Sequence, residues 1–145
     1  MAPLLVLAVI TAIARLTGWL GDIAWLDSWA HAATVGLAAM FLLTATAHFA
    51  EPRRSALVAM VPPQLPNPGV WVTLTGVLEI AGAIGLLIPA TSKLAAICLA
   101  LMMIAMFPAN IRAARADLGI KTMPLPVRTL VQGVFLGAAA LVMLG

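Results

Sequence analysis

Hydrophobic residues fill five long stretches of this chain, and polar residues collect in the short segments between them. The stretches span about 3–20, 29–50, 70–90, 94–111 and 127–144. A helix of about 20 apolar residues crosses the hydrocarbon core of a bilayer, so each stretch is close to the length of one crossing. The first is the weakest, because it is short and Arg15 interrupts it. The pattern predicts an all-α integral membrane protein with five segments.

Composition supports this prediction. Of the 145 residues, 63% are hydrophobic and only 9% are charged, and the mean hydropathy is +1.11. A soluble domain of this size needs far more polar surface, so we expect a single membrane domain over residues 1–145, with the lipid bilayer as its first partner. The net charge of +3 is spread over loops, which argues against a nucleic-acid partner. The start, Met1-Ala2-Pro3, lacks the basic region of a signal peptide.

The loops between the segments differ in charge. With five crossings, the loops on one side carry six basic residues, whereas those on the other carry Lys93 alone; the six are Arg53, Arg54, Arg112, Arg115, Lys121 and Arg128. Because basic residues favour cytoplasmic loops, the split predicts a cytoplasmic amino terminus and an external carboxyl terminus. Arg outnumbers Lys and Ala is abundant, which favours a bacterial source and hence the bacterial cytoplasmic membrane.

The loop over residues 51–69 is rich in proline. Ser55–Met60 has room for one or two helical turns, and four prolines follow within nine residues: Pro62, Pro63, Pro66 and Pro68. Proline fixes φ and favours extended backbone in the residue before it, so this piece should be stiff and non-helical. We expect it to lie on the cytoplasmic side against the helix ends. It acts either as a structural lid or as a gate over a pocket.

Glu79 is the only charged residue in the third segment. Thr75, Gly76, Gly82 and Ala83 lie three or four residues from it and therefore share its helix face. Small faces let helices approach closely, which predicts that Glu79 points into the bundle and that Gly76, Gly82 and Gly85 are packing positions. A carboxylate at this depth is costly and needs compensation inside the protein.

Depth along the helices suggests partners for this carboxylate. At about 1.5 Å per residue, Glu79 lies about 13 Å, and Gln132 about 7 Å, from the cytoplasmic ends of their helices. We expect both to meet further polar groups in the cytoplasmic half of the bundle: His48, Asn110, Arg15 and Arg128. Either the cluster fixes helix register, for example through an Arg15–Glu79 pair, or it lines a cavity for a polar or quinone-like head group or passes protons.

The other notable residues give weaker signals. Pro108 cannot donate a hydrogen bond to the carbonyl oxygen of Ile104, which predicts a kink in the fourth segment. The side chain of Asn110, two residues further on, is a candidate hydrogen-bond partner for the backbone groups that the kink leaves unpaired. His31 and His48 are about 25 Å apart along one helix and cannot ligate a single haem iron. Cys98, Met102 and Met106 place soft sulfurs on one face, which suits Cu(I) but is also ordinary apolar packing, so we assign no metal.

Two features bear on assembly and on catalysis. Gly133 and Gly137 form a GxxxG motif, which favours close helix contact within the chain or in a homo-oligomer. The chain contains no Walker loop, Rossmann glycines, zinc spacing or serine triad, so it has no self-contained catalytic motif. Whether it is an enzyme stays open.

An ordered set of short motifs resembles the DoxX-like family of small membrane proteins over about residue 26 to the carboxyl end. The set is His48-Phe49, Met60-Val61-Pro62 with Pro66 and Pro68, Thr75-Gly76-Val77-Leu78-Glu79 with Gly82-Ala83 and Gly85-Leu86, Phe107-Pro108-Ala109-Asn110, and Val127-Arg128-Thr129-Leu130-Val131-Gln132. The resemblance implies a four-helix membrane core, here with an additional N-terminal helix. It also implies site positions at His48, Glu79, Asn110 and Gln132.

The same resemblance implies a link to quinone-associated redox complexes, and one distant branch resembles a receptor assembly chaperone. Our first hypothesis is an accessory membrane subunit that binds a quinone-like or other small amphiphile and serves a redox partner. The second is a membrane chaperone or assembly factor that acts on a membrane protein partner through helix packing. The third is a proton-coupled transporter, which a chain of this length can form only as an oligomer.

Overall fold

The computed structural model describes residues 1–116, 118–120 and 122–145 and contains six α-helices in this part of the chain. They are α1 (Ala2–Leu20), α2 (Trp29–Phe49), α3 (Arg53–Met60), α4 (Pro68–Leu87), α5 (Ser92–Arg115) and α6 (Leu125–Leu144). All but α3 are long and apolar enough to cross a membrane. The structure therefore confirms an all-helical chain with five candidate spans at the predicted places.

Two helix boundaries differ from the prediction at prolines. Pro68 is the first residue of α4 and not part of the loop, because a helix start does not need the N–H that proline lacks. Pro108 lies inside α5, which continues to Arg115, four residues beyond the predicted end. The backbone therefore tolerates the lost hydrogen bond without ending the helix.

Four of the long helices pack as a ring. Around the ring, α2 lies against α4, α4 against α5, α5 against α6, and α6 against α2. The buried core between them includes Leu37, Phe41, Ala83, Leu86 and Leu99. The first helix packs along the outside of α2, where Leu7 is buried against it. The architecture is a four-helix core with one additional N-terminal helix.

Arg15 does not reach Glu79, and the prediction that it joins the polar core is wrong. Its guanidinium forms an ion pair with Asp27 and lies 5.6 Å from the centre of the Trp29 ring. Both partners follow α1 closely in sequence: Asp27 lies in the turn into α2, and Trp29 is the first residue of α2. A long Arg side chain near a helix end extends towards the polar end of the helix, so it meets this turn before it can cross the bundle.

The short helix α3 packs across the ends of α2, α4 and α5. The proline-rich residues that follow it were expected to lie against the helix ends. Instead Pro63 and Pro66 are exposed, and Pro62 is only half-buried. The element that covers the bundle is therefore α3, and the proline-rich piece is the connection from α3 to α4.

The glycines of α4 and α6 have different surroundings. A Cβ built on Gly76 would lie 2.6 Å from the Cβ of His48, and one on Gly82 would lie 2.5 Å from Leu99 Cδ2. Gly85 lies against Ala95. By contrast, a Cβ on Gly133 or Gly137 meets no atom of the described residues within 4 Å, so the GxxxG motif makes no close contact with any other of the six helices.

The chain direction alternates around the bundle. As a result, the starts of α1, α4 and α6 lie at the same end as the last turns of α2 and α5, and α3 covers this end. Five of the six basic residues counted above belong to this end, and the sixth, Lys121, lies outside the described residues. We refer to it as the α3 end.

Candidate functional site

A cavity of about 430 Å³ opens at the α3 end of the bundle. Its walls come from the start of α1, the last turns of α2, the middle of α4, and the facing sides of α5 and α6, with α3 lying across it. Small-molecule sites commonly have volumes of about 300–1,000 Å³. The cavity is therefore large enough for a small ligand.

Most of the predicted polar residues meet at this cavity. It is lined by His48, Glu79, Asn110 and Gln132. Arg128 lines an adjoining cavity of about 220 Å³, which shares Asn110 and Gln132 with the larger one. Of the proposed cluster only Arg15 lies elsewhere. None of the loop prolines lines the larger cavity, where Arg53 and Leu57 of α3 contribute instead.

Glu79 is held by a residue that we did not predict. The hydroxyl of Thr44 donates a 2.8 Å hydrogen bond to Glu79 Oε2. His48 Nδ1 lies 3.7 Å from the same oxygen. Glu79 is only 5% exposed and His48 only 3%, so a carboxyl, a hydroxyl and an imidazole form a buried cluster between α2 and α4.

The register between α2 and α4 brings these three groups together. Thr44 and His48 are four residues apart and share one face of α2. Gly76 packs on His48, which allows the two backbones to approach closely and places Glu79, three residues further on, within reach of that face. The four-residue spacing from His48 is the only sequence signal that pointed to Thr44.

Counting depth from helix ends gave the wrong level for Glu79. It is the twelfth residue of α4 and thus about 16 Å from the start of that helix, yet it lies beside residues in the last two turns of α2. The reason is that α4 begins about two turns beyond the end of α2. Hydropathy does not show how far the ends of two neighbouring helices are offset along the bundle axis.

The imidazole of His48 has one ring nitrogen without a partner. Nδ1 lies 3.3 Å from the carbonyl oxygen of Thr44. A carbonyl only accepts hydrogen bonds, so Nδ1 carries the proton and Nε2 is left with a lone pair. Nε2 is buried and has no hydrogen-bond partner among the described residues. Four other buried polar atoms of the described residues also lack a partner, and of the five only His48 Nε2 belongs to a residue that lines this cavity. A buried polar atom of this kind calls for an explanation, and a bound ligand or water is one.

Asn110 and Gln132 have roles that differ from those expected. Asn110 Oδ1 accepts a 2.6 Å hydrogen bond from Arg128, which also donates to Thr122. Gln132 Nε2 donates at 2.9 Å to the carbonyl oxygen of Met103, one residue before the carbonyl that Pro108 leaves free. The amide that reaches the α5 backbone is therefore that of Gln132 and not that of Asn110.

The remaining walls are apolar and rich in methionine. Five methionines from α2, from α5 and from the residue before α1 line the cavity, together with Phe41 and Phe135; they are Met1, Met40, Met102, Met103 and Met106. Methionine is flexible and polarisable, and it adapts to ligands of different shape. Cys98 is exposed, and no group of three or more His, Cys, Asp or Glu suited to a metal occurs among the described residues. The cavity thus combines a small polar cluster with an adaptable apolar wall.

Arg54 fastens α3 over this end of the bundle. Its guanidinium donates to the carbonyl oxygens of His48 and Gly69, at 2.5 and 3.3 Å, and to Thr73 Oγ1 at 3.1 Å. One side chain therefore ties α3 to the last turn of α2 and the first turns of α4. The neighbouring Arg53 points to the cavity instead.

Replacing Arg54 with glutamine should loosen α3. Hydrogen bonds from a charged donor contribute about 1.5–3 kcal/mol each in buried settings, and Arg54 is only half-buried, so we expect a loss of about 2 kcal/mol in the free energy of unfolding. Chymotryptic cleavage within α3 should become faster. Arg53→Gln is the matched control and should change neither quantity. Equal effects of the two variants would contradict the role assigned to Arg54.

Comparison with known proteins identifies a family but no characterised relative. No curated protein and no solved structure matches the chain. A family model described as a domain of unknown function, DUF8561, matches residues 37–142. This range covers α4, α5, most of α2 and α6, and every cavity residue named above except Met1. The chain therefore belongs to the DUF8561 family.

Proposed function

We propose that this protein binds a small amphiphile in the cavity beside Glu79 and serves a redox partner as an accessory membrane subunit. A quinone-like molecule is the leading candidate for the ligand. The observation that carries the proposal is the buried cluster of Thr44, His48 and Glu79 at a methionine-lined cavity of about 430 Å³. A polar head group would meet the cluster, and an apolar tail would lie along the methionines.

The proposed setting is the bacterial cytoplasmic membrane, with the amino terminus inside. Five apolar helices and the basic residues at the α3 end support it. In this orientation the cavity would open on the cytoplasmic side. Membership of the wider DoxX-like group is part of the same proposal. Its support is that His48, Glu79, Asn110 and Gln132, which carry the resemblance, line one cavity.

Filling the cavity tests the proposal. Ala47 lines the cavity, so Ala47→Phe should exclude the ligand, whereas Ala105→Phe on the exposed face of α5 serves as the matched control. After purification in mild detergent, mass spectrometry of the extracted lipids should find an amphiphile enriched with the wild type and the control. The amphiphile should be depleted in Ala47→Phe. Equal lipid content in all three proteins would refute the proposal.

A membrane chaperone or assembly factor is the second candidate. The observation in its favour is the open small-residue face of α6, where Gly133 and Gly137 contact no other helix and few residues are buried. Such a face can receive a helix of another protein. Affinity capture should then recover a defined membrane protein, and Gly133→Leu should weaken its recovery. Recovery of the same proteins with Gly133→Leu would remove this candidate.

A further inference from the structure

The polar cluster of the cavity, formed by Thr44, His48 and Glu79, has hydrogen-bond acceptors without partners. The Thr44 hydroxyl and the His48 Nδ1–H already donate within the protein. The Thr44 hydroxyl donates to Glu79 Oε2, with the Phe41 carbonyl oxygen as a second acceptor at 3.1 Å. The Nδ1 proton of His48 is directed to the Thr44 carbonyl oxygen. Two acceptors remain without a donor among the described residues: His48 Nε2, which is buried, and the second oxygen of the Glu79 carboxyl group, which belongs to a cavity-lining residue.

These two acceptors determine which head groups fit. An acceptor that is buried without a donor is destabilising, and a ligand hydroxyl relieves this where a ligand carbonyl oxygen cannot. A hydroxyl also accepts, so it remains compatible with the Arg53 guanidinium and the Asn110 amide on the same cavity wall. A carbonyl oxygen close to His48 Nε2 would instead face another lone pair.

We infer that the cavity selects a hydroxyl-bearing head group, so that among quinone-type amphiphiles the hydroquinone binds in preference to the quinone. This inference rests on the proposed function and narrows it to the reduced form of the ligand. The flexible methionine side chains of the cavity wall adapt to apolar ligand tails of different shape, so they do not select among them. Selectivity therefore comes from the head group, through His48 and Glu79.

Three matched probes test the inference. They are a decyl-substituted benzohydroquinone, its quinone and its dimethyl ether, titrated anaerobically by calorimetry into the full-length protein in nanodiscs, with empty nanodiscs as the partition control. We expect the hydroquinone to bind at least about tenfold more tightly than either of the others, since both leave the buried His48 Nε2 unpaired.

Two variants test the origin of the preference. Glu79→Gln keeps the shape of the side chain but supplies an N–H donor, so it should remove or reverse the preference, and Glu51→Gln is its exposed control. His48→Phe removes the Nε2 acceptor and should reduce the preference, whereas His31→Phe at the other end of α2 should leave it unchanged.

The outcomes separate the inference from the proposed function. A hydroquinone preference that is lost in Glu79→Gln and kept in Glu51→Gln supports the inference. Equal affinities of the three probes for the wild type, with binding blocked by Ala47→Phe, would overturn the inference and leave the proposed function standing. Failure of all three probes to bind would overturn both.

Discussion

Replacing Gly76 with alanine is expected to lower the free energy of unfolding by about 1–3 kcal/mol, the usual cost of an extra methyl group in a tightly packed site. The new Cβ would lie 2.6 Å from His48 Cβ and 2.9 Å from Phe49 Cε2. His48 Cβ is fixed to its backbone and cannot turn away, so α2 and α4 must separate. Separation also moves His48 and Thr44 away from Glu79, and ligand binding should fall with stability.

Gly133→Ala is the matched control for this change. It makes the same substitution in a helix interior, but the new Cβ meets nothing within 4 Å. Alanine favours helix over glycine by about 1 kcal/mol, so this variant should be neutral or slightly more stable. Reversible unfolding in detergent measures both free energies. Equal losses for the two variants would contradict the packing of α2 on α4 described here.

The second large effect is the coupling between Thr44 and Glu79. Thr44→Val keeps the side-chain shape but leaves Glu79 Oε2 without its donor, which should cost about 1–3 kcal/mol of unfolding free energy. In a Glu79→Leu background the same change should cost little, because no carboxylate remains to be satisfied. The expected interaction free energy is therefore at least about 1 kcal/mol.

Arg15→Leu provides the comparison for this cycle. Arg15 pairs with Asp27 and shares no partner with Glu79, so Arg15→Leu and Glu79→Leu should act additively on unfolding. A coupled Arg15–Glu79 pair together with an uncoupled Thr44–Glu79 pair would contradict the observed contacts. Chemical unfolding of the wild type, the three single variants and the two double variants in one detergent provides the required data.

Hydropathy was sufficient to predict the five long helices, because an apolar helix suited to crossing a bilayer has a narrow range of lengths. The five predicted segments correspond to α1, α2, α4, α5 and α6 within a few residues. The inward face of Glu79 also followed from spacing, since Gly76 and Gly82 lie three residues on either side of it. Both predictions use information from a single element: the length of an apolar stretch in the first case and helical spacing in the second.

The contacts that the sequence did not predict depend on how the helices pack against each other. The contact between Thr44 and Glu79 needs the register of α2 and α4, and α4 begins beyond the end of α2. Arg15 was assigned to the wrong partner because depth alone ignores a nearer carboxylate across the turn. The covering role of α3 was missed because the prolines after it gave the stronger signal.

The most direct test of a ligand site beside Glu79 is an experimental structure of the protein extracted with its native lipids and crystallised from a lipid mesophase. We predict density for a small amphiphile in the cavity, with a head-group oxygen within hydrogen-bond distance of the Glu79 carboxyl group or His48 Nε2. A cavity closed by its own methionine side chains, with no density beside Glu79, would contradict it. The Thr44, His48 and Glu79 cluster would then serve only to hold α2 against α4.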